Sequence, residues 1–233
     1  MQPATDPRRY AAAYTHVKAS REDEILLLTK WLEVPIPAVT IVAPGKQNLQ
    51  RSGVVQKLIA AGASATSTRQ RAWGQGANVL ALWLDDSDLA EIEASLPAKI
   101  ALAPWILSET EIWRRSRAPI ELSGADVPKP ASMDPVVRAA MNTVVTHSNP
   151  NNGCHSYNRD GAVHAFRVLR RAGYVWDPVE TAVVMAQGGW RLDDAREFAK
   201  LAADMLAGKA LRGGESEFRP DILKIWRKEA TEL

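Results

Sequence analysis

Three stretches of this chain carry side chains of the kinds that do chemistry. The first is THSNPNNGCHSYNRD, Thr146 to Asp160, where His147, Cys154 and His155 share a long polar loop and His164 lies a turn into the next helix. A thiolate with imidazoles is a zinc-ligand set, and a thiol beside an imidazole is a nucleophile with its base. The spacing fits no common zinc finger, however, and adjacent Cys and His are awkward as joint ligands. No third group can be assigned to orient a base. The simpler expectation is that Asn, Ser and Gly here serve turns and caps, with Asn158 or Asp160 near the start of the following helix.

The second stretch is Asp85, Asp86 and Asp88, which follow the apolar run ANVLALWL. Carboxylates at a strand end can hold Mg²⁺ and orient a phosphate, the basis for an alternative reading as a metal-dependent phosphoesterase or nucleotide-processing enzyme. A TOPRIM-type site would also need a glutamate at the end of an earlier strand, where Ala43 and Pro44 stand instead. Asp in the first turn of a helix is ordinary capping, and that is the expected role. No cofactor is expected otherwise.

The third is cationic. On the helix after the long loop, His164, Arg167 and Arg171 recur at i, i+3, i+7 with Arg170 beside them, while Ala162, Phe166 and Leu169 fall on the other side. A row of guanidinium groups suits phosphate. Lys200, Lys209, Arg212, Lys224, Arg227 and Lys228 can extend it if they fold to the same side, and Asp160, Glu180 and Asp194 are available to neutralise it. Two helices flanking GGWRL have the outline of a helix-turn-helix, but Asp193 and Asp194 stand where phosphate contact would fall.

These groups need elements to position them. Val39 to Val42 is a short β-branched run closed by Pro44 and Gly45, and the apolar spacing from about Arg51 to Ala61 is helical, with Gly62 as its stop. In open α/β sheets ligands collect where a strand hands over to a helix, which singles out Lys46 and Asn48 in PGKQN. Neither GxxxxGK[ST] nor GxGxxG is present, so the assignment rests on position alone. Ser20 with Asp23 opens an earlier helix running to about Glu33; Ala63 to Thr68 is a weak strand, residues 77–84 a strong one and residues 99–104 a last one. The loop between the strands at 64 and 77 is too short for a crossover helix, so if they neighbour each other an antiparallel pair, and a mixed sheet, is expected. Beyond Ala118 to Ser132, a proline-containing stretch, the pattern is helical: Pro135 to about Thr146, Asp160 to Ala172, Pro178 to Gly188, Asp193 to Leu206, and a last helix after Arg219-Pro220. The expected architecture is α/β, with a mixed, Rossmann-like small sheet and flanking helices over residues 10–120, a linker at 121–132 and an α-helical domain at 133–233.

Composition narrows the classes. With 233 residues and an apolar fraction of 46% the chain can build one large or two modest cores. Its 29 basic and 27 acidic residues leave a net charge of +2, too small for a general attraction to nucleic acid or anionic membrane. A single cysteine excludes an intrachain disulfide, and no apolar signal core or membrane-length run is present, so a cytoplasmic location with no membrane contact is expected. Of the eight tryptophans, Trp31, Trp83 and Trp105 fall in apolar patterns that predict burial, whereas Trp73, in the polar RQRAWGQG, is the one placed to stack on a base or ring. With no complete catalytic set, the leading expectation is a non-catalytic binding or adaptor protein that engages nucleic acid or a phosphorylated ligand through the arginine stripe, with His147, His155 and Asn158 contributing from the loop. A purely structural protein partner is the remaining alternative.

Overall fold

The computed structural model describes residues 10–16, 20–126, 132–214 and 218–232. Its contacts divide the chain into two compact units, Met1–Pro128 and Lys129–Leu233. Residues 127–131 of the expected linker lie outside the described residues. The expected first domain boundary falls inside a strand, because Ile120–Glu121 joins the sheet.

In the first unit the strands are β1 (Ala11–Tyr14), β2 (Val39–Ala43), β3 (Ser64–Ser67), β4 (Asn78–Leu82), β5 (Lys99–Ala103) and β6 (Ile120–Glu121). Among the described residues they form one sheet in the order β3-β2-β4-β5-β1-β6, and every pair is parallel. The expected mixed sheet is therefore corrected. β3 and β4 are not neighbours; they lie on either side of β2. The ten-residue segment between them makes the crossover without a helix, since ten extended residues reach about 33 Å, well beyond the length of a short strand. Arg71, held to Glu91 at 3.0 Å, and Gly76, whose N–H donates to Leu96 O at 3.0 Å, fasten that crossover.

Helices cover both faces, as buried parallel strands require. α1 (Arg21–Leu32), α2 (Lys46–Gln50) and α3 (Gly53–Ala60) lie on one, where Ile25, Leu28, Leu49, Val55 and Leu58 pack against Val39, Ile41, Leu80, Leu82 and Ala101. The periodic run read as one helix from about Arg51 begins instead at Gly53, because Ser52 accepts the Val55 N–H and caps it. α4 (Asp86–Glu93) and α5 (Glu111–Arg117) belong to the other face, where Arg114 lies over the Tyr14 ring.

Buried acids on α4 fix that second layer. Asp86 is 3% exposed, and its carboxylate accepts the N–H groups of Ile112 at 3.2 Å and Trp113 at 2.9 Å, the first turn of α5. Glu93 takes Arg117 in a two-pronged contact at 2.7 and 2.9 Å and also accepts the Tyr10 hydroxyl, which in turn accepts the Trp113 indole N–H at 2.8 Å. Burial, then the charge of Glu93, pushes the Tyr10 phenol far above its ordinary value.

The second unit is helical: α6 (Pro135–His147), α7 (Ser156–Arg171), α8 (Pro178–Gln187), α9 (Leu192–Leu206) and α10 (Ile222–Glu229). Asp134 and Asp177 cap α6 and α8 ahead of a proline in the first turn, as their sequences predict. α7 starts four residues before the expected Asp160. Phe166, Trp176, Trp190, Phe198 and Trp226 fill the core, and each buried indole N–H meets an acceptor: Ala202 O, Ser148 Oγ and Thr143 Oγ1 at 3.1, 3.0 and 2.9 Å. Trp105 departs from its expected burial at 51% exposed, and Trp31, Trp73 and Trp83 are half-buried. No helix among the described residues is long and apolar enough to cross a membrane.

Replacing Asp86 by Ala leaves two buried amides without this acceptor and is expected to destabilise the fold by about 2–4 kcal/mol. Asp86→Asn, which retains one acceptor oxygen, is expected to lose about half of that. Urea unfolding of the two variants measures both.

Candidate functional site

The arginines of α7 do gather, but in an arrangement the helical periodicity did not foresee. Arg167, Arg170 and Arg171 line one cavity of about 440 Å³ closed by Met205 and the segment 208–211. The three differ in what holds them. Arg167 is braced: Nη1 donates to Gly213 O at 2.6 Å and to Gly214 O at 3.3 Å, and Nη2 donates to Leu211 O. Arg170, exposed, reaches Met205 O at 3.4 Å, at the carbonyl end of α9. Arg171, also exposed, makes no polar contact among the described residues. The site thus has one structural guanidinium and two open to solvent, and Lys209 adds an ammonium tied to Asp204 at 2.6 Å.

The sequence explains why the 211–214 carbonyls come so close. Gly213 and Gly214 adopt φ of +89° and +70°, and a Cβ on Gly214 would lie 2.7 Å from Asp160 O and 2.8 Å from His164 N, both backbone atoms of α7. Only glycine lets that segment lie flush against the helix. The Gly-Gly pair was the available signal for this contact, and sequence reasoning missed it along with Met205 and Leu211 as cavity residues.

The acids expected to neutralise the stripe have other engagements where their partners are resolved. Asp160 is 3.8 Å from Arg159, and the Asp194 carboxylate accepts the Cys154 N–H. Burial, then the neighbouring Asp193, raises the Asp194 carboxyl above its ordinary range. Of the further cations proposed for the stripe, Lys209 lines the cavity, whereas Lys200 pairs with Glu197 and Arg227 donates to the Tyr174 hydroxyl.

The long loop contributes little to the cavity. Asn158 is 3% exposed and is consumed within the loop: its Oδ1 accepts the Asn149 N–H at 3.0 Å, and its Nδ2 donates to Asn149 O at 2.7 Å and Gly153 O at 2.8 Å. Asn158 clamps the loop, because a buried amide must satisfy its own donors and acceptor. His164 leaves the stripe too. Its Nδ1 accepts the Phe218 N–H at 3.1 Å and its ring packs on Phe218, which also meets His147 and Trp226. His147 Nδ1 is 2.9 Å from Thr143 O, and His155 stands exposed at the N-cap position of α7 without capping it. Cys154 is 8% exposed, and burial pushes its thiol up to about 11, so it carries almost no thiolate at neutral pH.

In the first unit, Asp85 accepts the N–H groups of Ser87 and Asp88 at 2.9 Å each, and Asp86 faces α5. Asp85 thus caps its own helix, and Asp86 accepts the first amides of α5. Among the described residues no group of three or more His, Cys, Asp or Glu side chains is placed to hold a metal. Lys46 and Asn48 lie on the five-residue α2 beyond the carboxyl end of β2, with Lys46 exposed. Trp73 lies in the β3–β4 crossover, half-buried.

Residues 133–227 match the model of a family described as a domain of unknown function (DUF1889), a span that begins just before α6 and ends within α10. It contains the whole cavity and none of the sheet. No curated protein and no solved structure matches the chain.

At pH 8 a thiol with a value of about 11 is ionised in roughly one molecule per thousand. Iodoacetamide is therefore expected to label Cys154 in the folded chain about two orders of magnitude more slowly than in guanidinium chloride, with the folded rate climbing as pH rises from 9 to 11. Rapid labelling at pH 7 would contradict the burial described here.

Proposed function

We propose that this chain is a non-catalytic binding protein that recognises a phosphate-bearing ligand through the arginine cavity of its helical unit. The observation that carries the reading is that three guanidinium groups line one concavity while Arg171 is left with no polar contact among the described residues. Guanidinium is held charged at any physiological pH and presents paired N–H donors that match phosphate oxygens. An arginine at a cavity wall with no polar contact among the described residues is thus available to an incoming anion. Arg167 contributes by fixing the wall, Arg170 and Arg171 by contact, and Lys209 by adding charge near the rim.

The cavity volume falls in the range of small-molecule sites, and Met205 and Leu211 give it apolar wall beside the charge, which suits an organic body attached to the phosphate. A nucleic-acid strand offers the same phosphate chemistry. The two are separated by titrating single-stranded and duplex DNA, RNA and a panel of phosphorylated small molecules at two salt concentrations.

The expected result is binding that weakens with salt and falls at least tenfold in the Arg170→Gln, Arg171→Gln double variant. If the ligand is duplex DNA, the same variant is expected to reduce the slope of log affinity against log salt by about 2. Arg167→Gln is expected to act differently, lowering thermal stability because it removes the donors that hold 211–214. Absence of binding, or binding indifferent to both salt and the double variant, would reject the proposal.

A further inference from the structure

The sheet unit contains a cluster that the arginine cavity does not explain. Connections leave β1 and β2 towards one face and β4 and β5 towards the other, so the chain reverses direction between β2 and β4 and again between β5 and β1. Such reversals open a crevice beyond the carboxyl ends of the strands. At those ends β4 runs into Trp83, β5 into Trp105 and β1 into Thr15 and His16, while the start of α1 brings Arg21 over Trp105 with its guanidinium carbon 3.6 Å from the ring centroid. Trp83 meets Trp105 edge-on at 6.4 Å, its N–H donates to Ala103 O at 2.7 Å, and Thr15 N–H donates to Leu102 O at 3.1 Å.

Three polar atoms here are buried and without a hydrogen-bond partner among the described residues: Thr15 Oγ1, His16 Nδ1 and Arg21 Nη1. Thr15 is wholly buried. Buried polar atoms are almost always paired, so each unpaired one at this sheet edge calls for a reason. Trp83 is strained as well, with φ of +62° in a bulky side chain, and Trp105 keeps 51% of its surface open.

We propose that the carboxyl edge of β4, β5 and β1 is a second ligand site, for a small molecule that joins a planar ring to a carboxylate or phosphate. The guanidinium of Arg21 lies over the Trp105 ring and has N–H donors to give an oxyanion. Thr15, at the end of β1, supplies a hydroxyl with no partner among the described residues, and the open surface of Trp105 accepts a ring. This site is independent of the arginine cavity, being built wholly from the first unit.

The test uses the full chain with adenosine monophosphate and benzoate as probes and with adenosine and inorganic phosphate as half-ligands, read by calorimetry and tryptophan quenching. One or both probes are expected to bind saturably, at least tenfold more tightly than the half-ligands. Arg21→Gln and Trp105→Ala are each expected to weaken that binding at least tenfold, and Arg21→Lys, which keeps the charge at the helix start but not the fork, to weaken it as well. Thr15→Val gives the sharpest contrast: it removes an unpartnered hydroxyl at nearly constant shape, so binding is expected to fall while the unfolding midpoint stays level or rises. Arg171→Gln is expected to leave this binding unchanged. The proposal is overturned if neither probe saturates, if Arg21→Gln and Trp105→Ala leave binding intact, or if Arg171→Gln abolishes it, since that last result moves the binding to the helical cavity.

Discussion

A guanidinium group drawn into a protein must be surrounded by acceptors, and the helical unit is arranged around one that found carbonyls in place of acids. Arg167 gathers the carbonyls of Leu211, Gly213 and Gly214, and in doing so it lays the segment after α9 along the flank of α7. That contact forms a wall. Arg167 is satisfied by backbone carbonyls, and beside it Arg170 and Arg171 line the cavity with no carboxylate partner among the described residues. Had an aspartate taken the place of the carbonyls, the row would have become an internal ion network with no remaining appetite for an anion.

The same rule, applied with the charges reversed, organises the sheet unit. Asp86 and Glu93 lie one above the other on α4 and are both nearly inaccessible to water. One is satisfied by the open amides at the start of α5 and the other by Arg117 and Tyr10. α5 is thereby held to α4 at both ends, by a cap at its first turn and an ion pair at its last. Both acids are part of the scaffold, whereas Thr15, His16 and Arg21, near the strand ends, each carry a buried polar atom without a hydrogen-bond partner among the described residues.

The helical match to a family of unknown function stops short of the sheet, in keeping with two units that each bury their own core. Whatever the sheet carries, it adds to a helical module whose cavity is complete within itself.

Much of the secondary structure was legible because it rests on local signals: Ser20, Asp134 and Asp177 as caps, prolines in first turns, a β-branched run at 39 and an apolar run at 77, and the 3.6-residue stripe of α7. Strand order was not legible, since a ten-residue connector allows either an antiparallel neighbour or a crossover, and only burial of both faces selects the second. The stripe itself was visible in the sequence. Its chemistry was not, because His164, Arg167 and Arg171 share a face by periodicity, while the partners of His164 and Arg167 come from residues 44 to 54 positions away and Arg171 has none among the described residues. Sequence alone therefore determined which residues can carry charge and on which side of a helix they emerge. Tertiary structure decided which of those charges are satisfied and which remain open, because hydrogen-bond partners are set by the close approach of segments that periodicity within one helix cannot see.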